Sequence, residues 1–141
     1  MIRLGFVSAI LGDLSFDEVI DLAAESGFSC VELMCWPSGR ADRRYAGVTH
    51  VDVAALDDPE VGRIRNKLIE KKISVSGLGY YPNPLHPDKA KSDFYIDHIK
   101  KVVDAAVRLE MGVINTFIGA DPARHDDENF ERFLELWPPI I

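Results

Sequence analysis

Apolar and polar residues alternate along the chain in two rhythms, one of the buried strand and one of the amphipathic helix. Leu4–Leu11 is apolar with small residues interspersed, which predicts a strand buried on both faces. Ser15-Phe16-Asp17-Glu18 is a capping box. Val19, Ile20, Ala23 and Ala24 then supply a helical stripe, and Gly27 stands at the left-handed exit, so a helix is expected from Phe16 to Ser26. Cys30–Trp36 predicts a second buried strand, stopped by Pro37. Pro37–Leu56 has no clear period, although Val51 and Val53 alternate enough to suggest a short extra strand. Asp58 before Pro59 reads as an N-cap, with Val61, Ile64, Leu68 and Ile69 lining a helix to Lys72. Ile73–Tyr80 is the third strand and Tyr81–Asp88 a turn-rich link. A long helix follows over Ala90–Glu110 on Tyr95, Ile99, Val102, Ala106 and Leu109, with Asp97 and Lys101 paired on its wet side and Gly112 closing it. Val113–Gly119 is the fourth strand, Asp121–Asp127 a polar loop, and Phe130, Phe133, Leu134 and Trp137 begin a fourth helix.

The order is βα four times over. Strands alternating with long helices imply a parallel sheet with right-handed crossovers. Two architectures fit: an open doubly wound sheet, or the first four units of an eight-stranded TIM-type (β/α) barrel. The turn Gly12-Asp13-Leu14-Ser15 lacks a phosphate-binding glycine fingerprint, which favours the partial barrel. The chain is read as a single domain over 1–141. It ends on Trp137-Pro138-Pro139-Ile140-Ile141 without a cap glycine or a polar tail. Two exposed isoleucines are expected there, and with them a chain cut inside its fourth helix.

Composition narrows the partners. With 141 residues and 47% apolar residues there is enough for one core. Acidic residues number 23 against 16 basic, a net charge of -7, which argues against a nucleic-acid backbone or an anionic membrane as partner. No apolar run approaches the ~20 residues a membrane helix needs, and no signal-peptide layout opens the chain, so a cytoplasmic protein is expected. Cys30 and Cys35 are an odd number of residues apart. On a strand they face opposite ways and cannot bridge.

In a βα barrel the chemistry lies at the carboxyl ends of the strands. Period two puts Val31, Leu33 and Cys35 on one face and Glu32, Met34 and Trp36 on the other. With the aliphatic face on the helices, Glu32 points into the barrel mouth, where a carboxylate can bind a sugar hydroxyl. Isolated burial of its charge is costly, so a pocket or a partner must receive it. Trp36 offers an aromatic platform for the apolar face of a sugar, and His86 an imidazole that titrates near neutrality. His50 is a weaker candidate; His98 and His125 are expected to be exposed. Gly77 and Gly79 permit close approach at a strand end, and either Asn115 or Thr116 faces the mouth. Arg40, Arg43 and Arg44 form a loop cluster able to grip a phosphate, although solvation is the commoner fate of such charges. No set of carboxylates and imidazoles converges on a metal site, and no nucleophile elbow or Ser-His-Asp order appears.

Several segments resemble the sugar phosphate isomerase/epimerase family, with its xylose isomerase-like TIM barrel. They are Leu4-Gly5-Phe6-Val7-Ser8, Ser15-Phe16-Asp17-Glu18-Val19, and Gly27-Phe28 before Val31-Glu32-Leu33. Tyr45–His50, Gly79–Pro87 and Asn115–Gly119 are similar to that family's segments after strands two, three and four. The resemblance implies a barrel of eight units, of which these are the first four. It implies a divalent metal (manganese, magnesium or zinc) in the full-length enzyme, held on strands five to eight with two glutamates acting as acid and base. The chemistry would be proton abstraction α to a carbonyl through an enediolate. Catalytic residues are therefore expected outside this chain, and no metal is expected on it alone. Glu32, Trp36, His86 and Asn115 become substrate-binding residues for a small sugar or sugar phosphate. Rival readings are a ketose or inositol-type dehydratase or lyase, an inactive fragment, and an endonuclease of DNA repair, the last disfavoured by the acidic charge. A half barrel exposes two strand edges, so self-association or poor solubility is expected.

Overall fold

Eight regular elements follow one another in strict alternation in the computed structural model, which describes residues 2–39 and 45–141. They are β1 (Gly5–Val7), α1 (Phe16–Glu25), β2 (Cys30–Met34), α2 (Asp58–Lys71), β3 (Ser74–Gly79), α3 (Lys89–Arg108), β4 (Ile114–Asn115) and α4 (Asp126–Leu136). The strands form one parallel sheet in the order β1-β2-β3-β4. Every crossover steps one place in the same direction. A doubly wound sheet reverses at its switch point and this one never does, so the winding is that of a barrel. Four strands make half of the ring that eight strands close.

Local sequence explains most boundaries. The capping box forms: the Ser15 amide donates to Glu18 Oε2 (2.7 Å), and the Glu18 amide donates to Ser15 Oγ (3.4 Å). Gly27 takes φ +77° beyond α1, as its place in the sequence requires. Removing the cap by Ser15→Ala is expected to cost about 1 kcal/mol, read as a lower urea midpoint at unchanged slope.

Other boundaries differ from expectation. The first strand is three residues long, because Ser8–Leu11 coil into a 3-10 turn. The N-cap of α2 is Asp57, whose side chain accepts from the Glu60 amide (2.8 Å); Asp58 and Pro59 form the first turn. Ile69 faces solvent instead of the core. Glu110, not Gly112, takes the left-handed conformation after α3. The ion pair on α3 is Lys89–Asp93 (2.6 Å), with none between Asp97 and Lys101 among the described residues. Val51 is buried, but instead of a Val51–Val53 strand there is an isolated antiparallel bridge between Cys35 and Thr49. The fourth strand is shortened to Ile114–Asn115. Of the two last isoleucines, Ile140 is buried and Ile141 exposed.

The core lies between sheet and helices. Val31, Leu33 and Cys35 are fully covered there with Val19, Ile20, Ala23, Ile64 and Val102. The other face of β2 carries Glu32 and Met34. A β-bulge sets their partners: Val31 pairs with Val75, but Glu32 pairs with Gly77 and Met34 with Gly79, leaving Ser76 as the extra residue. Side chains of β3 therefore change phase at Ser76. Ile73 and Val75 face the helices before it, Leu78 and Tyr80 after it, and Gly77 and Gly79 join Glu32 on the open face.

Candidate functional site

Three strands deliver one hydrogen-bonded cluster to the carboxyl end of the sheet. Glu32 comes from β2, Asn115 ends β4, and Tyr81 lies just past β3. Asn115 Nδ2 donates to Glu32 Oε2 (2.9 Å), and the Tyr81 hydroxyl donates to Glu32 Oε1. The Glu32–Asn115 bond spans from β2 to β4 across β3, which is possible because β3 has no side chains there. A Cβ on Gly77 would lie 2.7 Å from Asn115 Nδ2, and one on Gly79 would lie 2.6 Å from Glu32 Oε1. The two glycines are thus the floor under a polar bridge, and the half-buried carboxylate has the partners its burial demands. Burial, and then the carboxylate it donates to, push the Tyr81 phenol well above its ordinary pKa, so it stays a neutral donor near pH 7.

An aromatic cavity of about 230 Å³ adjoins this cluster. Val7, Ala9 and Met34 form its strand-end side, with Tyr45 and Ala46 of the loop after β2; Trp36, Tyr81 and Phe117 supply further rings. Tyr81 belongs to both features: its ring walls the cavity 4.9 Å from Phe117, and its hydroxyl reaches Glu32. Trp36 is braced from behind by an edge-on stack. Its ring lies 4.9 Å from Tyr80, and Tyr80 lies 4.6 Å from His98. His98 Nε2 bonds the Cys35 carbonyl (2.7 Å). His98 is therefore buried, contrary to the exposed position expected of it, because it lies on the core-facing side of α3.

A second polar network ties the cavity's loop to the sheet. His50 Nε2–H donates to the Leu11 carbonyl (3.3 Å), which leaves Nδ1 to accept from the Ser8 hydroxyl (2.8 Å). Ser8 Oγ in turn accepts the Met34 amide (3.0 Å), and the His50 amide donates to the Met34 carbonyl (2.9 Å). Both Ser8 and His50 are buried. Burial holds the pKa of His50, and likewise of His98, below the ordinary 6.5. The unfolded chain then binds more protons than the folded one as pH falls below 6.5, so stability declines through that range towards the depressed folded pKa values. The melting temperature is expected to drop between pH 7 and pH 5. The drop should be shallower in a His50→Asn, His98→Asn double variant; an unchanged profile would refute this assignment.

The structure joins three of the four substrate-binding candidates. Glu32 and Asn115 are bonded, and Trp36 lines the adjoining cavity. His86 stands apart at the head of α3, where its Nδ1 accepts the Asp88 amide (3.0 Å). Asn115, not Thr116, reaches across to Glu32. His125 is exposed at the N-cap of α4, as expected. Arg40, Arg43 and Arg44 lie outside the described residues. Among the described residues no three His, Cys, Asp or Glu side chains gather to hold a metal ion. Sequence reasoning missed Tyr81, Phe117 and Ser8. Ser8 and Tyr81 fall where a strand gives way to a turn, and there period two no longer reports direction.

Residues 20–141 match the model of the xylose isomerase-like TIM barrel family. None of the curated proteins matches the chain in sequence. Among solved structures it is similar to the probable 3-DHS dehydratase AsbF of Bacillus anthracis, at 16% identity and a TM-score of 0.69 over 99% of this chain and 47% of that one. It is also similar to D-psicose 3-epimerase of Clostridium cellulolyticum H10, solved with D-tagatose, at 13% identity and 0.66 over 99% and 47%. A protein of Sinorhizobium meliloti 1021 gives 18% identity and 0.64 over 98% and 45%. The chain thus spans about half the length of the structures it matches. None of the described helices is long and apolar enough to cross a membrane.

Proposed function

Because this chain belongs to the xylose isomerase-like TIM barrel family, we propose that it forms the substrate-side half of a sugar or sugar-phosphate isomerase or epimerase. One observation carries this reading: the Glu32–Tyr81–Asn115 cluster beside an aromatic cavity at the carboxyl end of a barrel-wound sheet. Each Glu32 oxygen accepts one protein bond and keeps a lone pair with which to accept a hydrogen bond from a substrate hydroxyl. Tyr81 and Asn115 hold that carboxylate in place. The Trp36 ring presents a face to the C–H side of a sugar, and Met34 and Phe117 help to shield it from bulk water. These side chains bind and orient. The pair that moves the proton, and the divalent metal expected of the complete enzyme, are not among them.

The reading is tested by titrating a panel of ketoses and ketose phosphates while following tryptophan fluorescence, with a Trp36→Phe variant to separate Trp36 from Trp137. Saturable quenching that vanishes in the variant supports it. A flat response across the panel would overturn it. Epimer formation or loss of water by this chain alone with manganese, read by chromatography, would instead overturn the placing of the proton-transfer pair outside it.

A further inference from the structure

Three stretches of chain meet at one imidazole. His50 Nδ1 accepts the Ser8 hydroxyl and its Nε2–H reaches the Leu11 carbonyl, both in the turn after β1. Its backbone amide donates to the Met34 carbonyl at the end of β2. The stretch that carries His50 lies antiparallel beside that strand end. Cys35 bridges Thr49, the Trp36 amide donates to the Val48 carbonyl (3.3 Å), and the Thr49 hydroxyl donates to the Trp36 carbonyl. Val48 packs so closely on the β1 turn that a Cβ on Gly12 would lie 3.0 Å from its Cγ2. The same three stretches supply six of the eight residues that line the aromatic cavity: Val7 and Ala9, Met34 and Trp36, Tyr45 and Ala46. His50 is not itself in the lining, so it acts on the cavity through these neighbours.

We propose that His50 is a positioning residue of this cavity: its neutral imidazole locks the three stretches together, and a proton taken up there loosens Trp36 and lowers sugar affinity. The lock is specific to the neutral form. Ser8 Oγ accepts the Met34 amide (3.0 Å) and donates its own hydrogen to Nδ1 (2.8 Å). A proton on Nδ1 removes that acceptor. It leaves a fully buried hydroxyl with nowhere to donate, and it places a charge where none opposes it. The ring faces the Ser8 hydroxyl and the Leu11 and Leu14 carbonyls that follow β1, and no charged side chain among the described residues influences it. Neighbouring carboxylates are turned elsewhere: Glu32 to Tyr81 and Asn115, Asp52 to Ser38 and the Ala54 amide, while Asp13 is exposed. Burial keeps His50 below 6.5, so the lock holds at pH 7 and yields as pH falls. The effect on affinity rests on the sugar-binding reading; the effect on Trp36 does not.

Both effects are read on the chain labelled with 5-fluorotryptophan. Its two tryptophans, Trp36 and Trp137, give two fluorine signals, told apart by Trp36→Phe. Protonation of His50 is followed at its ring Cε1–H, identified among the four histidines by its absence in His50→Asn. Between pH 7.5 and pH 5 the Trp36 signal should move with the midpoint of His50 while that of Trp137 stays still. In His50→Asn, or in His50→Gln if the first does not fold, the Trp36 signal should stay fixed. Ketose affinity should fall about fivefold over this range in the parent, as the fraction with the lock intact falls, and less than about twofold in the folded variant. A Trp36 signal that stays fixed while His50 titrates, one that moves alike without His50, one abolished by His98→Asn instead, or both tryptophans moving together as the chain unfolds would each overturn the proposal. So would a ketose affinity that is flat across the range in the parent. No ketose binding at any pH would sink the sugar reading alone, and the fluorine titration would still decide the role of His50.

Discussion

Gly5→Ala is expected to destabilise the fold by about 3 kcal/mol or more, near the top of the overpacking range, and to lower the melting temperature by roughly 10 °C. Gly5 pairs directly with Cys30 in the β1–β2 ladder. A Cβ at position 5 would lie 2.3 Å from the Cys30 carbonyl oxygen, 2.6 Å from its Sγ and 2.9 Å from its carbonyl carbon. Two of those three atoms are backbone, in a strand whose outer face is locked into the core, so neither rotamer change nor small relaxation relieves the clash. The pairing must open, and with it the seat of Ser8, which follows β1 directly. Gly62→Ala is the control. Gly62 lies inside α2 with nothing within 4 Å of a Cβ, and alanine there should raise stability by about 0.5–1 kcal/mol. Thermal melts followed by circular dichroism read both, and a Gly5→Ala melt within a few degrees of the parent would refute the argument.

The second large effect concerns Glu32. Glu32→Ala removes the acceptor from both the Tyr81 hydroxyl and the Asn115 amide, together with the carboxylate offered to substrate. Hydrogen bonds to a charged group contribute about 1.5–3 kcal/mol, so ketose affinity should fall on the order of 10- to 100-fold. Glu32→Gln keeps the shape. Its oxygen can still meet Tyr81, but its NH₂ then faces the Asn115 NH₂, donor against donor, so it should lie between the parent and Glu32→Ala. Calorimetric titration with the tightest ketose of the panel measures the series alongside melting temperatures. Losses in affinity that outrun losses in stability mark Glu32 as a binding residue. Equal losses would make it a structural tie alone.

Element order was legible from hydrophobic rhythm alone, because buried strands and amphipathic helices leave different periods. Glu32 was legible for the same reason: one carboxylate stands in an apolar strand on the face opposite Val31 and Leu33. Its partners were harder to see. Asn115 and Thr116 are adjacent on a two-residue strand, too short for a period to orient. Tyr81 follows a bulge that resets alternation. His98 carried a helical signal, being spaced from Tyr95, Val102 and Ala105 as core residues are, yet its polarity argued for solvent. The Cys35 carbonyl that satisfies it comes from 63 residues away, beyond the reach of any local pattern.

The unpaired residue between Val75 and Gly77 has a consequence for how this mouth tolerates change. Were Ser76 to pair with Glu32 instead of bulging, alternation would run unbroken, and Leu78 would turn towards the open face where Gly77 and Gly79 now lie. A register without the bulge would thus set an isobutyl group where the polar bridge crosses β3, whereas loss of Ser76 itself would keep Gly77 opposite Glu32 and Gly79 opposite Met34. What admits the carboxylate to the interior is a miscount of one between neighbouring strands.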